Sequence, residues 1–444
     1  MLNVLGVARG VSKPKIVLMG AGSAQFALTT VYDIVRNEEL HGSTLSLVDI
    51  DKERLDRSKR LTDELNREFK SGLKIESTVD RKEALEGADF IISAVEVDRF
   101  NRWKLDCEIP LRYGIKQVVG ECGGPGGISH ALRIIPIVLD ICRDVQDICP
   151  DALFINYSNP MTRVCRAIGR YTKVKFVGLC YGVYIQLMIL SNFLGVRPEE
   201  LEGKAAGLNH FSWIMDLRFK EGEDAYPTLR ERLSEAKGYL QPLCREIYYR
   251  FGFYPSPTDG HIAEFVSFGY DLCRPEERGY EGWIKPYYDH LQVLQDAASS
   301  IVDGDLSPLE RLKPVLKVNK EGRAIDVINA ILSNKRYLEL AVNVPNEGHI
   351  LNLPRYAAVE VPALIDSSGI KCLNMGYLPK GIAGLLETQV AVGELNVEAA
   401  AIGSRELALQ AMLLDPVVDN VEAADKTLEE LLRVHSDLLP QFRK

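Results

Sequence analysis

Three groups of residues in this chain could do chemistry. Gly20-Ala-Gly22-Ser23-Ala24-Gln25 stands between a short apolar run and an amphipathic segment. Glycines at such a turn let a pyrophosphate approach the N-terminus of the next helix, where unpaired N–H groups face the anion. Asp49 closes the following apolar run, 24 residues after Gln25. An acid there accepts a ribose hydroxyl of NAD and repels the 2′-phosphate of NADP. Gln25 replaces the third glycine of the usual fingerprint, and the same residues also describe a tight turn that holds no nucleotide. Asn156-Tyr-Ser-Asn159-Pro160 follows another apolar run. It reads either as a ligand-contacting amide at Asn159 or as a simple Asn-Pro turn. The third group is Cys180 and His210, 30 residues apart. A thiolate and an imidazole suit a divalent metal with positions left open for substrate. On residue types alone, an inert thiol and a structural histidine explain that pair better.

Such residues need a scaffold that gathers the ends of several strands. Lys15–Met19, Leu45–Asp49, Phe90–Val95, Leu153–Asn156 and Val174–Cys180 are short, nearly continuous apolar runs, as strands buried on both faces require. A helical pattern with Ala27, Val31, Ile34 and Val35 on one face follows the first, and another lies near Ile128 to Cys142. Strands alternating with helices predict a Rossmann-type α/β fold with a doubly wound parallel sheet over residues 1–194. Residues 195–444 read as a second, α+β domain. Ala205–Phe219 and Tyr337–Tyr377 are strand-rich, with helices near Thr388–Leu414 and Ala423–Leu439. The polar stretches 222–238 and 303–323 read as surface excursions.

A net charge of −9 argues against nucleic acid or an anionic membrane surface as partner. No stretch reads as the roughly 18 apolar residues of a membrane span, and Met1–Pro14 lacks a signal-peptide core. Nine scattered cysteines without scaffold spacing point to reduced thiols and a cytoplasmic protein.

Taken in order, the motifs resemble glycoside hydrolase family 4. The resemblance rests on Gly20-Ala-Gly-Ser23, Asp49, Gly120-Glu121-Cys-Gly-Gly-Pro125-Gly-Gly127, Asn156-Tyr-Ser-Asn159-Pro160, Cys180 and Asn209-His210-Phe-Ser-Trp213. Val344-Pro-Asn346-Glu-Gly-His-Ile-Leu-Asn352-Leu-Pro354 adds to it, and the match spans about residues 15 to 415. It implies a C-terminal domain like that of lactate and malate dehydrogenases, and an α-glycosidase that departs from the usual carboxylate pair. In the family scheme NAD takes hydride from sugar C3, a base removes the C2 proton, the aglycone is eliminated, water adds at C1, and the hydride returns. By position the resemblance gives Gly20, Gly22, Ser23, Ala24, Asp49 and Glu121 to NAD, Asn159 and Asn346 to substrate, and Cys180 and His210 to Mn²⁺. It further implies a small-molecule glycoside as substrate and a homodimer or homotetramer.

Two positions depart from the family pattern. Tyr181 follows the metal-binding cysteine where most members acting on unphosphorylated sugars carry histidine. A phenol can donate a proton to the leaving group, although its ordinary pKa near 10 makes it a slow acid. Glu96 stands where phospho-sugar members carry the phosphate-gripping arginine, and an acid there would repel a phosphate. Arg99, Arg102 and Lys104 nearby read as a solvated basic face or as anion-binding groups. For the C2 base, the segment Pro255–Phe265 offers Asp259 and His261, with Tyr270 behind them. The reading is therefore an unphosphorylated-glycoside hydrolase. The alternatives are a 6-phospho-α-glycosidase, a 2-hydroxy acid dehydrogenase and a non-catalytic NAD- or sugar-binding protein.

Overall fold

The computed structural model describes residues 13–236, 240–273, 289, 292–305, 307, 308 and 323–443. Most of the excursion expected at 303–323 lies outside these residues. Six strands, β1 (Lys15–Met19), β2 (Thr44–Val48), β3 (Lys74–Thr78), β4 (Phe90–Ser93), β5 (Leu153–Asn156) and β6 (Lys175–Leu179), run parallel in the order β3-β2-β1-β4-β5-β6. Their alternation divides the core. Ile16 and Leu18 pack into one buried cluster and Val17 and Met19 into another, so the sheet separates two apolar layers. Neighbouring leucines pair in register, for example Leu18 with Leu47. β3 was not anticipated. Its sequence Lys-Ile-Glu-Ser-Thr forms a half-exposed edge strand and carries no apolar run to announce it.

The sheet does not stop at β6. β7 (Leu201–Leu208) and β8 (Phe211–Phe219) form a hairpin in which Leu208 pairs with Phe211, leaving Asn209 and His210 as its turn. β9 (Tyr254–Ser256) pairs with β8, and β10 (Tyr337–Pro345), β11 (Ala358–Asp366) and β12 (Gly369–Cys372) complete the strands. β10 lies antiparallel to β6, Val342 opposite Leu179 and Asn343 opposite Gly178. The result is one mixed, 12-stranded sheet. Its β6–β10 seam carries the His210 hairpin toward the carboxyl ends of the parallel strands.

The helix Gly124–Ile148 corrects one expectation. It is long and apolar enough to cross a bilayer, yet 83% of its apolar window is buried within the protein. It packs against the helices Met161–Tyr171 and Lys380–Ile402. Ile128, Leu132, Ile135 and Leu139 lie inside, so its composition reflects a central core position.

Candidate active site

β1 ends in the turn toward the helix Ala24–Val35. Gly20 has φ +82°, and a Cβ there would meet the Ala94 carbonyl oxygen at 3.0 Å. That conformation and that approach both require glycine. The Gly22 N–H donates to Asp49 Oδ2 at 2.7 Å, while Asp49 Oδ1 accepts the Asp51 N–H at 2.9 Å. A Cβ on Gly22 would lie 2.7 Å from that same Oδ2. The two halves of the dinucleotide signature thus meet in space. Ser23 is exposed and Ala24 begins the helix, leaving its first N–H groups to face the turn.

Around the carboxyl ends of β4, β5 and β6 the chain gathers a second set of side chains. Cys180 follows β6 directly, and His210 arrives on the β7–β8 turn. Cys180 Sγ lies 3.2 Å from His210 Nε2. The thiol's pKa is raised by burial and by the nearby Glu360 charge, against weaker opposing bonds from Asn209 and Gly182. His210 holds φ +61°. It is 6% exposed, and its Nδ1 is buried without a hydrogen-bond partner. Ligand atoms of Glu121, Cys122 and His210 all lie within 4.8 Å of one another. An imidazole, a thiol and a carboxylate with ligand atoms this close are a donor set that fits a divalent cation. The sequence motifs point only Cys180 and His210 to the metal and assign Glu121 to the dinucleotide, whereas the fold sets Glu121 beside His210.

Glu121 is the hub of this arrangement. Asn159 Nδ2 donates to its Oε1 at 3.2 Å, Arg99 Nη2 makes a short bond to the same oxygen, and His261 Nδ1 is 4.0 Å from Oε2. Burial alone would raise its pKa, but Arg99, His261 and His210 together pull it far below the ordinary carboxylate range. Glu264 holds the loop in place. Its Oε2 accepts the backbone N–H groups of Glu121, Cys122 and Gly123 at 2.8, 2.6 and 2.8 Å. Its Oε1 lies 3.2 Å from His261 Nδ1, and the His261 and His210 rings are 4.1 Å apart between centroids.

Models of the "Family 4 glycosyl hydrolase" and of the "Family 4 glycosyl hydrolase C-terminal domain" match residues 15–196 and 205–418. An α-glucosidase of Erwinia rhapontici is 35% identical, covering 94% of this chain and 97% of its own length. An α-galactosidase of Bacillus subtilis (strain 168) is 32% identical, covering 97% and 100%. The chain belongs to glycosyl hydrolase family 4. Among solved structures, the putative glucosidase lplD from Bacillus subtilis superimposes with a TM-score of 0.81 at 26% identity, covering 95% of this chain and 100% of that one. A 6-phospho-α-glucosidase from gut microorganisms, solved with NAD and Mn²⁺, reaches the same TM-score at 23% identity and shows a shared fold.

The family 4 fold brings most of the expected residues together, but not all. Asn346 is fully buried, its Nδ2 donating to the carbonyls of Ile350, Leu353 and Pro354 at 2.9, 3.0 and 3.2 Å. Its Oδ1 takes the Ile350 N–H at 2.8 Å. With both ends of the amide committed, Asn346 ties a loop and is not a substrate contact. Asp259 accepts the N–H groups of Leu243 and Cys244 at 3.2 and 2.8 Å, capping the helix Pro242–Phe251. That places it as a structural group, unlike its neighbour His261. Tyr181 precedes the helix Gly182–Leu194 and stacks on Tyr184, centroids 5.9 Å apart. The Lys116 ammonium lies over the Tyr270 ring at 5.7 Å.

Glu96 corrects the expectation of an uncompensated negative charge. Its Oε2 lies 2.8 Å from His130 Nε2 and 3.3 Å from Arg99 Nη1, and its Oε1 accepts the Val97 N–H at 2.9 Å. Burial works to raise the pKa, yet these partners hold it below the usual value. Arg102 is committed to Asp437 and the Val434 carbonyl, and Lys104 to Glu108. Sequence reasoning missed Arg323. It is 1% exposed, pairs with the buried Glu339 at 2.9 Å, and donates to the Cys180 carbonyl. No motif surrounds Arg323, and only its burial reveals the role.

Proposed function

We propose that this family 4 enzyme hydrolyses an unphosphorylated α-glycoside with NAD and a divalent metal, Mn²⁺ by preference. One observation carries the reading: Cys180 and His210, far apart in sequence, meet at 3.2 Å beside Glu121 and Asn159, at the same sheet edge as the Gly20–Asp49 turn. The α-linkage and lack of a phosphate are supported by the α-glucosidase and α-galactosidase relatives at 35% and 32% identity. Residues 1–194 form the NAD-binding half and 195–444 the half that adds His210, His261 and the subunit contacts.

When bound, NAD supplies the acceptor and returning donor of the C3 hydride, while the metal polarises sugar oxygens and acidifies the C2 proton. The chain's residues do the rest. Glycines 20 and 22 keep the turn open to a pyrophosphate, and Asp49 selects the unphosphorylated ribose. Cys180 and His210 hold the cation, joined by Glu121. Asn159 orients the sugar through its amide. His261 is the C2 base. With Nδ1–H directed at Glu264, its Nε2 keeps the lone pair that takes the proton. Tyr181, next to Cys180, gives its phenolic proton to the leaving oxygen.

Free, largely buried thiols support a cytoplasmic setting. A homodimer or homotetramer is supported by exposed apolar side chains at Leu351 and Tyr377, on segments bridged between Ile350 and Gly376. The test is gel-filtered, EDTA-treated protein assayed on p-nitrophenyl α-glycosides. It should be inactive until NAD and Mn²⁺ both return, and full activity without NAD would overturn the reading.

A further inference from the structure

Glu360 lies on β11, 2% exposed, opposite Gly207 of β7 and Asn343 of β10. Its carboxylate accepts three side-chain hydrogen bonds: from Asn209 Nδ2 at 2.8 Å, Ser212 Oγ at 3.0 Å and Asn343 Nδ2 at 3.3 Å. Asn209 precedes His210 in the hairpin turn, and Ser212 lies two residues after it on β8. A third tie comes from the Asn209 N–H, which donates to Thr162 Oγ1 at 3.0 Å. His210 needs such support, because its φ of +61° lies in the left-handed region that side chains other than glycine seldom occupy. An unsupported turn would relax and carry the imidazole away from Cys180.

We propose that Glu360 is the positioning residue of the metal site, clamping both sides of His210 so that its Nε2 meets Cys180 Sγ. The inference rests on reading Cys180 and His210 as metal ligands. Glu360 does not touch the cation's place in this account. It acts through Asn209 and Ser212, and its buried negative charge adds a field that favours a cation between thiol and imidazole. The two contributions are separable. Glu360→Gln removes the charge and disturbs the Asn209 bond, whereas Ser212→Ala keeps the charge and removes one clamp.

The experiment is a titration of each full-length variant with Mn²⁺ alone, free ion being read by electron paramagnetic resonance. Thermal unfolding is recorded alongside. Losses of metal affinity at outer-shell positions run roughly 10–100-fold, and Glu360→Gln should fall in that range. Ser212→Ala should lose less, by several-fold. Activity of Glu360→Gln should recover as Mn²⁺ is raised, a response that a merely loosened fold would not give. Cys180→Ser separates the two readings. If Cys180→Ser loses Mn²⁺ while Glu360→Gln and Ser212→Ala bind like wild type, Glu360 has no positioning role. If Cys180→Ser binds Mn²⁺ normally, the ligand reading fails and takes the inference with it. Should Glu360→Gln not fold, Ser212→Ala carries the test, and unchanged affinity there overturns the proposal.

Discussion

Glu264, fully buried, and His261, partly exposed, form a carboxylate–imidazole pair, with Oε1 3.2 Å from Nδ1, while the other Glu264 oxygen gathers three N–H groups of the glycine-rich loop. One carboxylate therefore ties the loop that presents Glu121 to His261, the proposed base. His261→Ala should lower kcat by about 10²–10⁴-fold with little change in KM, the range expected for a positioned base. Asp259→Asn should instead cost about 0.5–2 kcal/mol of stability, as for a lost helix cap, and leave kcat within a few-fold. Steady-state kinetics and thermal melts on both variants decide the assignment. A kcat loss confined to Asp259→Asn would reverse it.

The metal should be weakly held, because Cys180, His210 and Glu121 supply only three protein ligands and leave the remaining positions to water and substrate. Chelation should remove it at room temperature. Cys180→Ser and His210→Ala should each lose more than about 10-fold in Mn²⁺ affinity, in line with first-ligand loss exceeding outer-shell loss. Calorimetric titration with Mn²⁺ checks this, and undiminished binding in either variant removes that residue from the site.

Much of this site was legible because its residues carry local signatures. Gly20, Asp49 and Cys180 each directly follow a strand whose apolar run is plain, Asn159 comes three residues after another, and ligands collect at such ends. His210 was found through its motif. Roles fixed by three-dimensional neighbours were not legible. Glu96 reads as a lone acid until His130 and Arg99 are seen beside it. Asn346 reads as a pocket amide until its carbonyl partners at Ile350, Leu353 and Pro354 appear. The clamps Glu360 and Arg323 lie in no chemical motif and act across 143 to 151 residues of sequence, and Glu264, though inside the segment Pro255–Phe265, acts on a loop 141 to 143 residues away. β3 escaped because an edge strand needs no apolar run.

Selectivity against 6-phosphates should survive neutralisation of Glu96. Its Oε2 is already engaged by Arg99 at 3.3 Å and by His130 at 2.8 Å, so only part of an interaction of roughly 4 kcal/mol at 4 Å and a dielectric near 20 reaches the ligand. Wild-type enzyme should prefer the unphosphorylated α-glycoside, and Glu96→Gln should change that preference less than about tenfold, a difference near 1.4 kcal/mol. Competing kcat/KM values for a glycoside and its 6-phosphate give the answer. Better turnover of the phosphate by wild type would make the phospho-glycosidase reading the correct one.

Stability should carry the imprint of Asp415. This carboxyl is 1% exposed, and burial outweighs its attraction to Arg163 and its bonds from Val417 and Gly124, pushing its pKa to about 6 from 3.8. A group raised in the folded state favours folding at low pH, and that contribution is lost as pH rises from about 4 through 6. Two pH units correspond to about 3 kcal/mol at most. Asp415→Asn should therefore gain stability relative to wild type at pH 7.5 compared with pH 5. Melts at both pH values test it, and a pH-independent difference would contradict it.

Elimination after C2 deprotonation, the proposed route by which the glycosidic bond breaks, leaves an isotopic record in the product. Turnover in D₂O with NAD and Mn²⁺, followed by NMR or mass analysis of the released sugar, tests it most directly. Solvent deuterium should appear at C2, and its incorporation should fall in step with kcat in His261→Ala. Released sugar with no deuterium at C2, formed at the full wild-type rate, would contradict the account and point to ordinary carboxylate-pair hydrolysis.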